Sequence, residues 1–166
     1  NSKDVVQQAD QLYRPYYVQQ GTGRPVGMVF RDLLISDKVG FTYSGTPGDV
    51  AADDLMKRLR DIKAELKAEN ATGPHLVTVL LDGENAWEYY DNDGKAFLNA
   101  LYQRLTDARD IVTITPSGYL AKFPDQRKIT KLWPGCWFTP DYSTWIGEDE
   151  ENTAWNYLLK TRTMLI

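Results

Sequence analysis

A chain of 166 residues is long enough for one domain with a real core, and its charged and apolar fractions are ordinary for a globular protein. The net charge of −4, with no basic cluster beyond Lys57, Arg58 and Arg60, excludes a surface that tracks nucleic-acid phosphates. One cysteine, Cys136, excludes an internal disulfide or thiolate cage, and one histidine, His75, leaves little material for a histidine-rich metal site or a Ser-His-Asp triad. No cofactor is expected.

In chain order, Val5, Ala9, Leu12 and Tyr13 recur at helical spacing, so residues 2–12 are read as a helix leading into a strand at 14–18 that Pro15 opens. Residues 19–25, QQGTGRP, are a turn-rich connector. Residues 26–30 form a second short apolar strand that ends on charge at Arg31 and Asp32. Residues 33–43, LLISDKVGFTY, suit a short helix over a pocket, with Asp37 read first as a helix cap. After the Gly-Thr-Pro-Gly punctuation, residues 49–69 are a strongly amphipathic helix with Leu55, Leu59, Ile62 and Leu66 on one face. Its many charges are read as the solvated side and given no function.

Residues 75–90, HLVTVLLDGENAWEYY, organise the chain. Leu76, Val77, Val79, Leu80 and Leu81 make an apolar run of strand length, read as buried on both faces of a sheet. The run stops at Asp82, and Gly83, Glu84, Asn85, Trp87 and Glu88 follow, so acids, an amide and a large ring gather at the carboxyl end of a strand. In parallel α/β folds that end binds ligands. Asp-Gly is also a common turn pair, and that plainer reading stands beside the first. His75, just after Pro74, is read as a surface or strand-edge residue.

A helix at 94–107 follows, faced by Phe97, Leu98, Leu101 and Leu105, then a strand at 111–115, a short helix at 117–122 and a weaker strand at 129–133. That strand runs into Pro134-Gly-Cys-Trp-Phe138 and then an irregular aromatic segment, residues 139–147. The last helix, 149–164, is expected to carry Ala154, Trp155, Leu158 and Leu159 inward. Its acidic amino end, Glu148 to Glu151, fits the helix dipole and requires no metal. Five Trp and ten Tyr are many for this length; such rings serve cores, and they also stack on the apolar C–H faces of sugars.

Alternating strands and helices imply an α/β fold with a parallel sheet, here read as one domain over residues 1–166. About five strands fall short of a closed barrel. An arc of a barrel would leave strand edges exposed, which predicts pairing with another copy, a homo-oligomer, or with sequence outside the chain. No apolar run reaches membrane-spanning length, so neither a membrane nor nucleic acid is expected as a partner.

At VLLDGENAWEYY the sequence resembles glycoside hydrolase family 57, the α-amylase, amylopullulanase and 4-α-glucanotransferase family. LYRPY at 12–16, FRDLLISDKVGF at 30–41, GKAFLNALYQRL at 94–105 and WPGCWFTPDYSTWIGEDEENTAW at 133–155 agree in the same order. The resemblance implies a distorted barrel of seven β/α units followed by helices, of which this chain is the later part, a partial (β/α) barrel with a C-terminal helix. It implies action on α-glucans or maltooligosaccharides with retention of configuration.

By the same resemblance Asp82 is the general acid/base. Retention needs a second carboxylate about 5–5.5 Å away. The family places that glutamate on an earlier strand, upstream of anything present here, so the chain is expected to hold the acid/base without the nucleophile and to be inactive alone. Glu84, Trp87, Arg31, Asp32, Trp137 and Trp145 are candidate substrate contacts. Core burial is the competing reading for the tryptophans, and mutual pairing for Arg31 and Asp32. Cys136 stands where the family commonly has Ser, and with no nearby base it is not a catalytic thiol. A non-catalytic carbohydrate-binding or assembly module is the alternative function.

Overall fold

The computed structural model describes residues 8–19, 21–83, 86–132, 135 and 141–166. The chain divides into two compact units, residues 2–130 and residues 131–166. The first begins with a short helix α1 (Ala9–Leu12), a strand β1 (Tyr16–Val18) and a strand β2 (Val26–Met28). Next come helix α2 (Leu33–Asp37), a π-helical turn (Lys38–Thr42) and a 3₁₀ turn (Tyr43–Gly45). They lead into the long helix α3 (Gly48–Ala68). A 3₁₀ turn (Asp91–Gly94), helix α4 (Lys95–Asp107), helix α5 (Pro116–Lys122) and strand β3 (Arg127–Ile129) complete the unit.

Helix α3 forms where the apolar stripe predicts it. Leu55 and Ile62 are buried, Leu59 and Leu66 pack against the same core, and α3 packs on α4, whose Phe97 is also buried. The crossing of the two helices is close because residue 48 has no side chain: a Cβ there would lie 2.6 Å from the backbone of Ala96 and Phe97. Around this pair the core collects Tyr13, Ile35, Val39, Tyr43 and Tyr90. The Tyr43 and Phe97 rings lie 5.4 Å apart and the Tyr90 and Phe97 rings 6.0 Å apart.

The sheet is mixed rather than parallel, with order β2-β1-β3. Strands β1 and β2 are antiparallel, with Tyr17 opposite Gly27, while β1 and β3 are parallel, with Tyr17 opposite Lys128. The physical reason lies in the connection. Residues 19–25 are enough for a hairpin loop and too few for the crossover that parallel neighbours require. The last strand of this unit falls at Arg127–Ile129, earlier than the expected 129–133. The described residues thus contain a small three-stranded mixed sheet and several helices.

Two expected strands do not join a ladder. Residues 111–115 carry no strand pairing, and Val112 is 80% exposed. Residues 76–81 run extended with a single parallel bridge, Arg31 to Thr78, and two flanking bonds: Asp32 N–H donates to the Thr78 carbonyl at 3.1 Å and Leu76 N–H to the Tyr13 carbonyl at 2.8 Å. Val79, Leu80 and Leu81 are 41%, 46% and 37% exposed, so the run is not buried on both faces. A run of β-branched and aliphatic residues reports a preference for extended backbone; it does not supply the neighbours that would cover it.

The amino end of the first unit is held by charge. Asp10 accepts from Arg14 and, at 2.9 Å, hydrogen-bonds His75 Nε2 through Oδ1, and it accepts from Arg127 Nη2 at 2.7 Å through Oδ2. It thereby ties α1, the start of the 76–81 segment and β3 together. His75 is thus a paired and largely covered group, not a surface one. From the end of α3, Glu69 accepts the N–H groups of Ala9 and Asp10, each at 2.9 Å, and caps α1.

The second unit holds helices α6 (Ser143–Ile146) and α7 (Asp149–Leu165). Helix α7 sits where the periodicity predicts it, and its acidic start does cap it: Glu151 accepts from the Glu148 N–H at 2.9 Å. Its expected inward face is a correction, since Trp155, Leu158 and Leu159 are 54%, 61% and 58% exposed. The Trp155 indole N–H donates to the Trp145 carbonyl at 2.9 Å.

Burial alone would raise the Asp10 carboxyl, but hydrogen bonds from Arg14, His75 and Arg127 outweigh it and hold the group well below the usual carboxylate range. A carboxyl lowered in the folded state stabilises fully above its unfolded value near 3.8, and that contribution drains away as the pH falls toward the folded value. Asp10→Asn is expected to cost about 1.5–3 kcal/mol at pH 7 and to flatten the loss of stability below pH 4, read by urea unfolding across pH.

Candidate active site

The candidate site grows from the extended segment 76–81. Its backbone is fixed in register by the Arg31–Thr78 bridge, which lays residues 30–32 parallel beside it. Asp82 lies four residues beyond Thr78, at the open end of this pair, and its side chain is exposed. Gly83 turns the chain. Glu84 lies outside the described residues, as does Trp137, and Trp145 belongs to the second unit, where it is 54% exposed.

The loop beyond Asp82 is tied to the core by aromatic packing. Trp87 is half-buried, with its ring 5.3 Å from Tyr90 and 6.4 Å from Phe97. Gly94, at φ +72°, lets the chain turn against these rings, since a Cβ there would meet Trp87 at 3.1 Å and Tyr90 at 3.3 Å. The Tyr90 hydroxyl donates to the Val39 carbonyl in the π-helical turn, and burial pushes this phenol up to about 12. The acid-bearing loop is therefore anchored to residues 38–42 on one side and to α4 on the other.

Arg31 and Asp32 lie beyond the end of β2, joined to the Asp82 segment by the Arg31–Thr78 bridge, but they do not pair with each other. The Arg31 guanidinium lies 4.0 Å from Asp37. Asp32 is 2% exposed. Its Oδ1 accepts from the Ile35 N–H at 2.8 Å and caps α2; its Oδ2 accepts from the Tyr13 hydroxyl at 2.5 Å and faces Arg58 Nη2 at 3.3 Å. Arg58 also donates to the Tyr13 hydroxyl at 3.1 Å and, through Nη1, to Glu65 at 2.9 Å. With both oxygens occupied inside the fold, Asp32 acts on the position of its neighbours.

Tyr13, Arg58 and Tyr90 carry this architecture, and the sequence reading passed over all three as functional. Arg58 had a signal. It lies three residues after Leu55 and four before Ile62, on the edge of the apolar stripe, where a charge is half inside the core. Tyr90 had none, because its acceptor is a backbone carbonyl 51 residues away. A cavity of about 350 Å³ lies elsewhere, lined among others by Asp10, Arg14, Glu69, Thr72 and Arg127. Among the described residues no group of His, Cys, Asp and Glu could hold a metal ion.

Removing the Asp32 carboxylate strips the α2 cap and leaves Arg58 with one fewer partner in the core. Asp32→Ala is expected to cost about 3–5 kcal/mol, and Tyr13→Phe about 1–3 kcal/mol, in denaturant unfolding followed by far-UV circular dichroism.

None of the curated proteins compared with the chain matches it. Residues 1–131, close to four-fifths of the chain, match the family model described as Glycosyl hydrolase family 57. They take in the Asp82 loop, Arg31, Asp32 and the helices that hold them, and on that match the chain belongs to glycosyl hydrolase family 57.

Proposed function

We propose that this chain carries the proton-donating part of a retaining α-glucan hydrolase or glucanotransferase site, with Asp82 as general acid/base. Membership of a glycosyl hydrolase family supports a carbohydrate substrate. The observation that carries the role of Asp82 is its position: an exposed carboxyl at the free end of an extended apolar segment, on a loop anchored by Trp87 and Tyr90. A proton donor needs both access to the scissile oxygen and a fixed backbone.

In this reading Asp82 gives its proton to the departing glycosidic oxygen while a second carboxylate attacks the anomeric carbon and forms the glycosyl-enzyme. Asp82, now ionised, then takes a proton from water or from a sugar hydroxyl, and the bond to the enzyme breaks with net retention. The attacking glutamate is assigned to sequence upstream of these residues. Arg31, bridged to the Asp82 segment at Thr78, and Glu84 are proposed to hydrogen-bond sugar hydroxyls. Trp87, Trp137 and Trp145 are proposed sugar contacts, with one side of Trp87 already packed on Tyr90 and Phe97. Asp32 is proposed to act by holding residues 30–32 in register.

Two measurements test the assignment. The purified 166-residue chain is expected to show no release of reducing sugar from maltooligosaccharides, and turnover by it would overturn the need for an external nucleophile. In a longer parent protein Asp82→Asn is expected to lower kcat by at least about 100-fold with the fold unchanged. Near-parental activity would move the acid elsewhere, and retained sugar binding without any parental turnover would favour a carbohydrate-binding module.

A further inference from the structure

The chain contains two Asp-Gly pairs, Asp82-Gly83 and Asp93-Gly94. Such a pair carries a reaction that bulkier neighbours suppress, because no side chain shields the glycine nitrogen. That nitrogen attacks the aspartate carboxyl carbon: an N–C bond forms, a carboxyl C–O bond breaks and water leaves, closing a five-membered succinimide. Water then opens the ring at either carbonyl. One opening restores aspartate; the other gives isoaspartate, in which the main chain runs through the former side chain, and no atoms are gained or lost overall. Ring closure requires the aspartate backbone to turn until its own carboxyl carbon meets the next nitrogen, so the fold decides which pair reacts.

Asp93-Gly94 is held. Asp93 (φ +56°) and Gly94 (φ +72°) are both left-handed and belong to the 3₁₀ turn that leads directly into α4. Gly94 is buried, with Trp87 and Tyr90 ring atoms 3.1 and 3.3 Å from where a Cβ would be. Turning Asp93 would pull this turn off both rings and off the first residue of α4. Asp82-Gly83 is open by comparison. Both residues are exposed, and a Cβ on Gly83 would meet nothing within 4 Å. Among the described residues none accepts a hydrogen bond from the Gly83 N–H. The nearest backbone anchor before the pair is the Thr78 carbonyl, which takes the Asp32 N–H.

We infer that Asp82-Gly83 is a site of spontaneous succinimide formation and isomerisation to isoaspartate, and that the fold protects Asp93-Gly94 from the same reaction. The product adds one atom to the main chain and leaves the carboxylate attached directly to Cα, one methylene shorter than in Asp82. The reaction is independent of the role proposed for Asp82; where that role holds, isomerisation withdraws the proton donor. Asp82→Asn shares the liability. Its ring closes with loss of ammonia, and hydrolysis then returns part of the variant to aspartate at position 82, so its turnover is read on freshly prepared protein.

The test incubates the whole 166-residue chain at neutral pH and body temperature, folded and in urea. Isoaspartate at each pair is read by peptide mapping with electron-transfer fragmentation, which tells the two isomers apart. In the folded chain it is expected to accumulate at least about tenfold faster at Asp82 than at Asp93. In urea the two rates are expected to agree within about threefold, since each pair then offers the same unshielded glycine. Gly83→Ala, whose added methyl enters open space, is expected to keep the parental circular dichroism and to slow the reaction at Asp82 at least about tenfold. Equal rates at the two pairs in the folded chain, or an unchanged rate in Gly83→Ala, would overturn the site. A tenfold gap that persists in urea would overturn the protection by the fold, and all these outcomes leave the proton-donor reading to its own turnover measurements.

Discussion

One buried carboxylate decides how the first unit is joined. Asp32 ends the extended run from β2, starts α2 by accepting from Ile35, and takes hydrogen bonds from Tyr13 and Arg58 on two other elements. A charge 2% exposed is tolerable only when its oxygens are occupied by well-placed donors. That condition fixes the separation of α1, α2 and α3 at once. It also fixes residues 30–32, and through the Asp32 N–H to Thr78 bond it sets the register of the segment that ends at Asp82.

From this anchor the loop beyond Asp82 is held in two further places. Phe97 gives it a hydrophobic floor through Trp87 and Tyr90, and Val39 gives it a polar contact through the Tyr90 hydroxyl. The fixed parts are the ring-bearing end of the loop and the bridged segment before it; Asp82 itself is exposed. In the role proposed for Asp82, a proton donor has to be open to its substrate on one side, and rigidity is supplied from behind it.

Helices were legible in the sequence because each carries its own signal. The α3 stripe, the α4 face at Phe97 and the acidic start of α7 each follow from spacing within one segment. Strands were less so. Residues 76–81 and 111–115 have the composition of buried strands, yet pairing and burial depend on segments distant in sequence, and the described neighbours cover neither. The same limit applies to the site. Asp82 and Arg31 are candidates on the strength of their place at the ends of apolar runs, whereas the tyrosines that tie the loops together are recognisable only once partners 19 and 51 residues away are in view.

Gly48 gives this arrangement a remote point of weakness. It is the spacer of zero thickness between two helices, with the Ala96 and Phe97 backbone where its side chain would be. Any substituent there would wedge α4 outward from its first turn, the turn that carries Phe97. The hydrophobic floor under Trp87 and Tyr90 would shift with it, so a methyl group at a position with no polar atoms to offer would be felt at the carboxyl of Asp82.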